Sequence, residues 1–346
     1  MFKAAIIGCG VISQTHARAY RECTEIQLAA VSDIVPERAE AVGKEFGVPA
    51  LARLEDVLAR DDIHFLDICT PSGVHGDIAI AAAKAGKHCI SEKPLDTTPQ
   101  RCEEILAAFQ ASGTTLGGIY QHRFADDVQK TKQAVDAGRF GRLTLLTCST
   151  PWWRSQEYYD SGAWRGTWKL DGGGALMNQG IHAIDLALWF GGPIKRIAAR
   201  TALLAHEQIE VEDAAVAVCE FQSGALGVIV GTTAAYPGGP VRHEVMGTGG
   251  MAYLLDDQIA LWKLRDEEAT EAKPAAAAPE TPSPPHEEPT NTFARNLDDI
   301  ARAARDGRPP LVSGAEARKS VEIICAIYES ARTGRPVTLP LKEFHP

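Results

Sequence analysis

The stretch Lys3-Ala4-Ala5-Ile6-Ile7-Gly8-Cys9-Gly10-Val11-Ile12-Ser13 decides the fold that we expect for the N-terminal half of this chain. Its first five residues predict a short β-strand, the two glycines predict a tight turn, and the residues from Val11 onward predict a helix. In such a unit, free backbone N–H groups and the positive end of the helix dipole face one point. The stretch therefore predicts a phosphate-binding turn at Gly8, Gly10, Val11 and Ile12. A glycine turn without a ligand has the same pattern.

The next strand supports a nucleotide site. Ile26–Ser32 predicts a second strand, and Asp33 follows it directly. A carboxylate there can accept hydrogen bonds from the ribose hydroxyls of a dinucleotide, and it would repel a 2′-phosphate. We therefore predict NAD as the cofactor, while the nearby Arg38 leaves NADP open. A turn or helix-capping role for Asp33 is the alternative.

Strands and helices continue to alternate after this point. Phe65–Cys69 and Lys87–Ser91 predict strands, with a helix over Ile78–Ala85 between them. Such alternation predicts a parallel, doubly wound sheet that binds ligands at the carboxyl ends of its strands. The segments at these ends are Thr70-Pro71-Ser72-Gly73-Val74-His75 and Ser91-Glu92-Lys93-Pro94-Leu95.

Lys93 is the most informative residue of these segments. Pro94 disfavours helical geometry at Lys93, so we expect the lysine on an irregular, presented segment. There it could hydrogen-bond a reacting hydroxyl or shuttle its proton. An ordinary surface lysine before a turn is the alternative.

In the C-terminal half, Gly172-Gly173-Gly174 precedes a stretch with helical periodicity. At about 3.6 residues per turn it carries two stripes, one apolar and one polar. The apolar stripe is Met177, Ile181, Ile184 and Leu188, and the polar stripe is Asn178, His182, Asp185 and Trp189. The apolar stripe can anchor the helix while the polar stripe presents an amide, an imidazole and a carboxylate to one place. A buried helix whose His and Asp cap neighbouring backbone groups is the alternative.

A long aromatic segment lies just before the three glycines. It holds four of the six tryptophans, at positions 152, 153, 164 and 168, together with Arg154 and Arg165. Aromatic faces bind the apolar faces of sugar rings. The same composition is also typical of a subunit interface, and both interpretations stay open. Tyr236 follows a later predicted strand and could reach the same site.

The length, composition and net charge of the chain limit the number of domains and the classes of function that we expect. A chain of 346 residues with 45% hydrophobic content predicts two domains, which we place at 1–122 and 123–346, with a low-complexity surface insertion over 263–290. The net charge of −10 argues against nucleic-acid binding. The chain has no apolar run of the ~18 residues that a membrane span needs. Eight cysteines without metal-binding spacing predict a reducing, cytoplasmic environment and no metal site.

With these motifs in this order, the chain resembles the Gfo/Idh/MocA (glucose-fructose oxidoreductase / inositol dehydrogenase / rhizopine catabolism) family of nicotinamide-dependent oxidoreductases. The matching segments are Gly8-Cys9-Gly10, Thr70-Pro71…His75, Ala85–Pro94, Tyr120-Gln121-His122-Arg123-Phe124 and Gly172-Gly173-Gly174…His182…Asp185. The resemblance implies an N-terminal Rossmann domain and a C-terminal α/β domain with a large, mostly antiparallel open sheet. It also implies a homodimer or homotetramer formed through that sheet.

The resemblance implies roles for single residues as well. Lys93 and His182 look like the family's catalytic residues, and Glu92 looks like a contact near the nicotinamide ribose. Further expected cofactor contacts are Thr70, Pro71, Ser72, His75, Gln121, Trp164 and Arg165, and Lys93 is expected to contact the cofactor as well. Expected substrate contacts are Tyr120, His122, Arg123, Trp153, Asn178 and Tyr236. Asn178 departs from the pattern, because many sugar and inositol dehydrogenases of the family have an Asp there, and an amide cannot take a proton.

The predicted reaction is hydride transfer between a secondary alcohol of a sugar, glycoside or inositol and NAD. Two other functions stay open at this point. Some relatives cleave glycosides with tightly held NAD and no net redox change. A nicotinamide-binding regulator without catalysis also occurs on this type of fold.

Overall fold

The computed structural model describes residues 1–267, 290–341 and 343–345. These residues form two compact units. The first comprises residues 1–121 with a C-terminal segment that ends at Arg318, and the second begins at His122 and resumes at Lys319. Positions 268–289 of the predicted insertion lie outside the described residues. No helix within the described ranges has the length and apolar character needed to cross a membrane.

The elements are numbered along the chain. The strands are β1 (Phe2–Ile7), β2 (Ile26–Ser32), β3 (Ala50–Leu51), β4 (Phe65–Ile68), β5 (His88–Ser91), β6 (Leu116–Gly118), β7 (Leu143–Pro151), β8 (Ile194–Ala202), β9 (Ala214–Phe221), β10 (Leu226–Thr232), β11 (Arg242–Gly247), β12 (Gly250–Leu255), β13 (Gln258–Leu264) and β14 (Val337–Thr338). The helices are α1 (Val11–Ala19), α2 (Pro36–Phe46), α3 (Leu54–Leu58), α4 (His75–Lys84), α5 (Pro99–Ser112), α6 (Asp126–Asp136), α7 (Gln156–Asp160), α8 (Ile181–Gly191), α9 (Thr290–Asp306) and α10 (Gly314–Thr333).

The first unit contains the predicted parallel sheet, in the order β3-β2-β1-β4-β5-β6. Alternate residues of β1 enter two different cores, because successive side chains of a strand point to opposite faces. Ala4 and Ile6 belong to one core, and Ala5 and Ile7 belong to the other. With both faces covered, β4 is buried along its whole length. The doubly wound Rossmann fold is thus confirmed.

Helix α9 corrects the predicted division of the chain. The prediction assigned everything after residue 122 to the second domain, but α9 belongs to the first unit. Its buried residues Phe293, Leu297 and Ile300 pack in the same core as Ala4 and Ile6. The reason is that the apolar face of α9 needs an apolar partner, and one face of the first sheet supplies it.

The second unit contains the predicted large open sheet, in the order β13-β12-β11-β7-β10-β9-β8-β14. Among the described strands of this sheet, β7 and β10 pair in parallel and the other neighbours pair antiparallel. On one face, α8 packs against β7 and β11. Val216, Val218 and Leu226 of β9 and β10 are exposed.

The helix predicted after the three glycines begins as a π-helix, Ala175–Gly180, and continues as α8. The apolar stripe is confirmed, since Met177, Ile181 and Ile184 are buried. A π-turn has more residues than an α-turn and often occurs at functional sites. A constant spacing of about 3.6 residues therefore does not describe this stretch.

Candidate active site

The turn after β1 has the shape that a phosphate group needs. Gly8 has a φ of +95°, and a Cβ atom there would lie 2.8 Å from the backbone carbonyl of Cys69. Around Gly10, no described atom lies within 4 Å of the position that a Cβ would take. No described side chain caps the first N–H groups of α1. The open backbone at Gly10 and the uncapped helix end fit the pyrophosphate of a dinucleotide.

Asp33 is held beside this turn by backbone hydrogen bonds. The N–H of Cys9 donates to Asp33 Oδ2 at 2.7 Å, and the N–H of Val35 donates to Oδ1 at 2.7 Å. A carboxylate oxygen has more than one lone pair, so each oxygen can still accept from a ribose hydroxyl. The local capping role and the predicted ribose contact are therefore compatible. Arg38 is exposed on α2.

His75 connects the two other turns at the carboxyl edge of this sheet. The ring is buried, with Nδ1 2.8 Å from the carbonyl oxygen of Pro94 and Nε2 2.9 Å from that of Thr70. Both nitrogens thus contact backbone on the segments that follow β4 and β5. His75 holds these segments together, and its contact with the cofactor stays a prediction, as do those of Pro71 and Ser72.

A buried network in the first unit, not found from the sequence, centres on His16 of α1. His16 Nδ1 lies 2.8 Å from Asp67 Oδ2, and His16 Nε2 lies 3.0 Å from Glu92 Oε1. Burial is the largest single effect and opposes the charged imidazole, but the charges of Asp67 and Cys69 and their hydrogen bonds to the ring together outweigh it, so the pKa of His16 lies well above its ordinary value. The hydroxyl of Tyr20 also donates to Asp67 Oδ2 at 2.8 Å. A charged histidine therefore lies between two buried carboxylates.

This network ends at the backbone of Lys93. Burial alone would raise the pKa of Glu92, but the hydrogen bond and charge of His16 lower it below the ordinary value. The other oxygen of Glu92, Oε2, accepts the N–H of Lys93 at 2.9 Å. His16, Asp67 and Cys69 lie close enough together to share a cation. Since carboxylates already bind both nitrogens of His16, we interpret the cluster as a hydrogen-bond network. An Asp within the apolar strand β4 was the sequence signal for it.

In the second unit, Glu212 holds the start of the π-helix. A Cβ on Gly174 would lie 1.8 Å from the carbonyl oxygen of Glu212, so only glycine fits there. The Glu212 carboxylate accepts the N–H of Gly174 at 3.0 Å, the N–H of Leu176 at 2.9 Å and the hydroxyl of Tyr328 at 3.0 Å. Burial raises the pKa of Glu212 to about 7. The sequence analysis did not identify this residue.

The polar stripe on α8 is divided between two environments. His182 is half-buried, whereas Asp185 is buried and accepts from Nε and Nη2 of Arg123 at 2.8 and 2.7 Å. The predicted substrate contact for Arg123 is therefore wrong, since its side chain is buried in this ion pair and Arg123 is only 1% exposed. A buried guanidinium requires a carboxylate partner, and Asp185 supplies it.

Tyr120 requires a second correction. It belongs to the first unit, where it is 1% exposed and its hydroxyl donates to the carbonyl of Ala317 at 3.2 Å. The predicted substrate contact for this ring is wrong, because the ring is part of a core. Gln121, which follows it, is also buried, and its cofactor contact stays a prediction.

His182 opens onto a small pocket of about 20 Å³ within the second unit. His122, predicted as a substrate contact, lines this pocket, and its ring centroid lies 4.7 Å from that of His182. Its Nδ1 hydrogen-bonds to the carboxylate of Asp257. His243 of β11 also lines the pocket, and burial lowers its pKa to about 4. The sequence analysis did not identify Asp257 or His243.

The neighbours of Asn178 explain its departure from the family pattern. Asn178 Nδ2 donates to Asp171 Oδ1 at 2.7 Å. Asn178 Oδ1 accepts from Gln179 Nε2 at 3.3 Å, and the same nitrogen donates to the hydroxyl of Tyr158 at 3.1 Å. An Asp at 178 would bring a second carboxylate against Asp171. The amide is therefore matched to the acidic residue beside it.

The other predicted binding residues of the aromatic segment, together with Tyr236, contact one another in two groups. Trp153 and Tyr236 meet edge to face with centroids 5.5 Å apart, and Tyr236 is largely exposed. The guanidinium of Arg165 lies 4.6 Å from the ring centroid of Trp164 and 4.2 Å from that of Tyr158. These contacts fix the geometry of the aromatic segment, while the binding roles of its residues stay predictions.

Comparison with known proteins agrees with this geometry. Residues 2–119 match the oxidoreductase family with an NAD-binding Rossmann fold, and residues 128–253 match the GFO/IDH/MocA C-terminal domain. The chain is 28% identical to D-apiose dehydrogenase of Paraburkholderia graminis, over 98% of this chain and 90% of that protein. It is 27% identical to scyllo-inositol 2-dehydrogenase (NAD(+)) of Bacillus subtilis, over 98% and 97% of the two chains.

A solved structure is similar over nearly the whole length of the chain. The WlbA dehydrogenase from Bordetella pertussis, in complex with NADH and UDP-GlcNAcA, superposes with a TM-score of 0.87 at 32% identity, over 99% of both chains. The Rossmann turn, the second sheet and these matches lead to one conclusion: the chain belongs to the GFO/IDH/MocA family of NAD-binding oxidoreductases.

Proposed function

We propose that the protein is an NAD-dependent dehydrogenase that oxidises a secondary alcohol of a cyclic polyol: a sugar, a glycoside or an inositol. The observation that carries this proposal is the pocket beside His182, where an imidazole meets a cluster of polar side chains. Sugar and inositol dehydrogenases among the relatives support the substrate class. Bound NAD would supply the hydride acceptor.

The chain's own residues position the substrate and move its proton. His182 acts as the base that takes the hydroxyl proton. The ammonium group of Lys93 stabilises the negative charge that develops on the substrate oxygen. Asp33 selects NAD over NADP, because its carboxylate would repel a 2′-phosphate.

The active protein is proposed to be a cytoplasmic homodimer or homotetramer. The exposed apolar residues Val216, Val218 and Leu226 on the second sheet support an interface there. Light scattering coupled to size-exclusion chromatography measures the mass directly. Val218→Lys should lower that mass to one chain, and an unchanged oligomer would contradict this interface.

A nucleotide sugar is the second candidate substrate. It rests on the 32% identity to WlbA, whose structure contains UDP-GlcNAcA. A UDP-linked uronic acid carries several negative charges, whereas an inositol carries none. The two candidates are therefore separable in one substrate panel.

The test is a spectrophotometric assay of NADH formation. D-apiose, myo-inositol, scyllo-inositol, D-xylose and a UDP-linked uronic acid are supplied with NAD or NADP in parallel. We expect NADH formation with a neutral polyol and NAD. Lys93→Ala and His182→Ala should each lower kcat/KM by about 100- to 10,000-fold while keeping the wild-type circular dichroism spectrum. Near-normal turnover by the folded variants would refute these roles, and an unreactive panel would refute the proposed function.

A further inference from the structure

The pocket beside His182 contains buried polar atoms that the protein does not satisfy. Within the described part of the chain, Thr150 Oγ1, Gln179 Oε1 and His243 Nδ1 have no hydrogen-bond partner. The three residues are 1%, 5% and 2% exposed, and all of them line this pocket. Buried polar groups in proteins nearly always have partners, so three unpaired atoms around one pocket point to a ligand.

The orientation of Gln179 follows from its neighbours. Its Nε2 donates to the hydroxyl of Tyr158 and to Asn178 Oδ1. Asn178 in turn donates through Nδ2 to the carboxylate of Asp171, which can only accept. These hydrogen bonds therefore allow only one orientation for the side-chain amides of Asn178 and Gln179. The atom that remains on Gln179 is the acceptor Oε1.

The Thr150 hydroxyl and the His243 ring are the other two groups with unpaired atoms, and both are uncharged. The Thr150 hydroxyl both donates and accepts. Burial lowers the pKa of His243 to about 4, against the charge of Asp257 and together with that of His122. At neutral pH its ring is uncharged, with one donor nitrogen and one acceptor nitrogen. A hydroxyl group, which also donates and accepts, matches this set.

The small volume and the charge of this pocket favour one uncharged group. The pocket holds about 20 Å³, slightly more than the roughly 10–15 Å³ that one water-sized group requires. Its described lining contains the carboxylate of Asp257 and no Lys or Arg side chain. A phosphate or carboxylate would face this negative charge, and no cationic Lys or Arg side chain of the described lining could pair with it.

We propose that Thr150, Gln179 and His243 form a specificity subsite that binds one uncharged hydroxyl group of the substrate. This inference rests on the proposed function and sharpens it. A polyol with a free hydroxyl at the position that enters the pocket is a substrate. An analogue that lacks this hydroxyl, or carries a phosphate there, binds weakly.

The test uses three near-isosteric variants, Thr150→Val, Gln179→Met and His243→Leu. Each variant removes a buried polar atom that has no partner within the described part of the chain. Gln179→Met also removes the Nε2 that donates to Tyr158 and Asn178, so circular dichroism and urea unfolding are used to check that every variant is folded. With the best neutral polyol of the panel, each variant should raise KM by about 10- to 100-fold and change kcat by less than about threefold. With the analogue that lacks the bound hydroxyl, the same variants should change KM little.

Thr147→Val is the matched control. Thr147 is on the same strand, β7, but an odd number of residues from Thr150, so its side chain points to the opposite face. Its hydroxyl donates to Glu244 at 2.7 Å. This variant should leave KM unchanged.

Isothermal titration calorimetry with the same polyols separates the subsite from the reaction. If the wild-type protein forms NADH but the three variants keep its KM, the subsite is wrong and the proposed function stands. If NADH never forms, yet the wild type binds a neutral polyol and the three variants do not, the subsite stands and the proposed function fails. If the wild type binds no neutral polyol, the subsite is wrong.

Discussion

In each unit, a buried histidine can be compared with a buried glutamate, and burial has opposite outcomes for the protonation of the two pairs. In the first unit, His16 and Glu92 hydrogen-bond to each other, and the pKa of His16 is raised while that of Glu92 is lowered. In the second unit, burial lowers the pKa of His243 to about 4 and raises that of Glu212 to about 7. The first pair is therefore charged, whereas in the second pair both groups are neutral between about pH 4 and pH 7.

The difference shows that the hydrogen-bond partners of a buried ionisable group decide whether the group is charged. Burial disfavours the charged form of all four groups, but among the described residues only His16 and Glu92 have an opposite charge within hydrogen-bond distance. The carboxylates of the first unit hold His16 from both sides. Glu212 receives its hydrogen bonds from neutral donors, the backbone and Tyr328. The first network is complete in itself, while the second region leaves polar atoms for a ligand.

Replacing the buried histidine of each unit by leucine should give the largest difference between the two units, measured as the free energy of unfolding. His16→Leu would leave Asp67 and Glu92 buried without their cation, so the free energy of unfolding should fall by about 3–5 kcal/mol. His243→Leu removes an atom without a partner and should change it by less than about 1.5 kcal/mol. Urea unfolding followed by circular dichroism measures both. Equal losses for the two variants would show that partners do not explain the difference.

The pH dependence of stability tests Glu212. Its pKa in the folded protein, about 7, lies above the ordinary value of 4.5. The folded state therefore binds more protons than the unfolded state between these values, and stability falls as pH rises from 4.5 to 7. The loss should be about 3 kcal/mol.

Glu212→Gln cannot ionise and should remove this slope, which unfolding at pH 4.5, 5.5 and 7 would measure against the wild type. Glu92 gives the opposite sign, because its lowered pKa contributes stability above pH 4.5 that is lost on acidification. A wild-type slope that persists in Glu212→Gln would assign it to other groups.

The smallest effect is expected at Asn178. Asn178→Asp places a second carboxylate beside Asp171 and should lower stability by about 1–2 kcal/mol at pH 8, with recovery at low pH as the pair binds a proton. The double variant Asp171→Asn with Asn178→Asp restores one acid and one amide, and it should recover most of the loss. Thermal unfolding at pH 5 and pH 8 measures the effect. A single variant as stable as the wild type would contradict the proposed repulsion.

Much of the fold could be predicted because its signals are local. The run from Lys3 to Ser13 contains a strand, a glycine turn and a helix start within a few residues. Alternating strands and helices then require a parallel sheet. Lys93 lies on an irregular segment after β5, where Pro94 predicted it. The conformation of each of these segments depends mainly on residues that are close to it in sequence.

The errors have a common physical cause. Tyr120 and Arg123 belong to a matching family segment, but their burial depends on residues far along the chain, Ala317 and Asp185. The assignment of α9 failed because sequence position does not show which sheet an apolar face will cover. The helical stripes assumed a constant period, and the π-helix changes it.

The sequence by itself determined the Rossmann fold, the cofactor class and the candidate pair Lys93 and His182, because short motifs with a fixed spacing carry them. Only the tertiary structure decided which buried groups are charged and which are left for a ligand. His16 meets its partners across 51 and 76 positions of the chain, whereas His243 Nδ1 has no hydrogen-bond partner among the described residues. A pKa and a hydrogen bond depend on distance in space, and no sequence spacing encodes that distance.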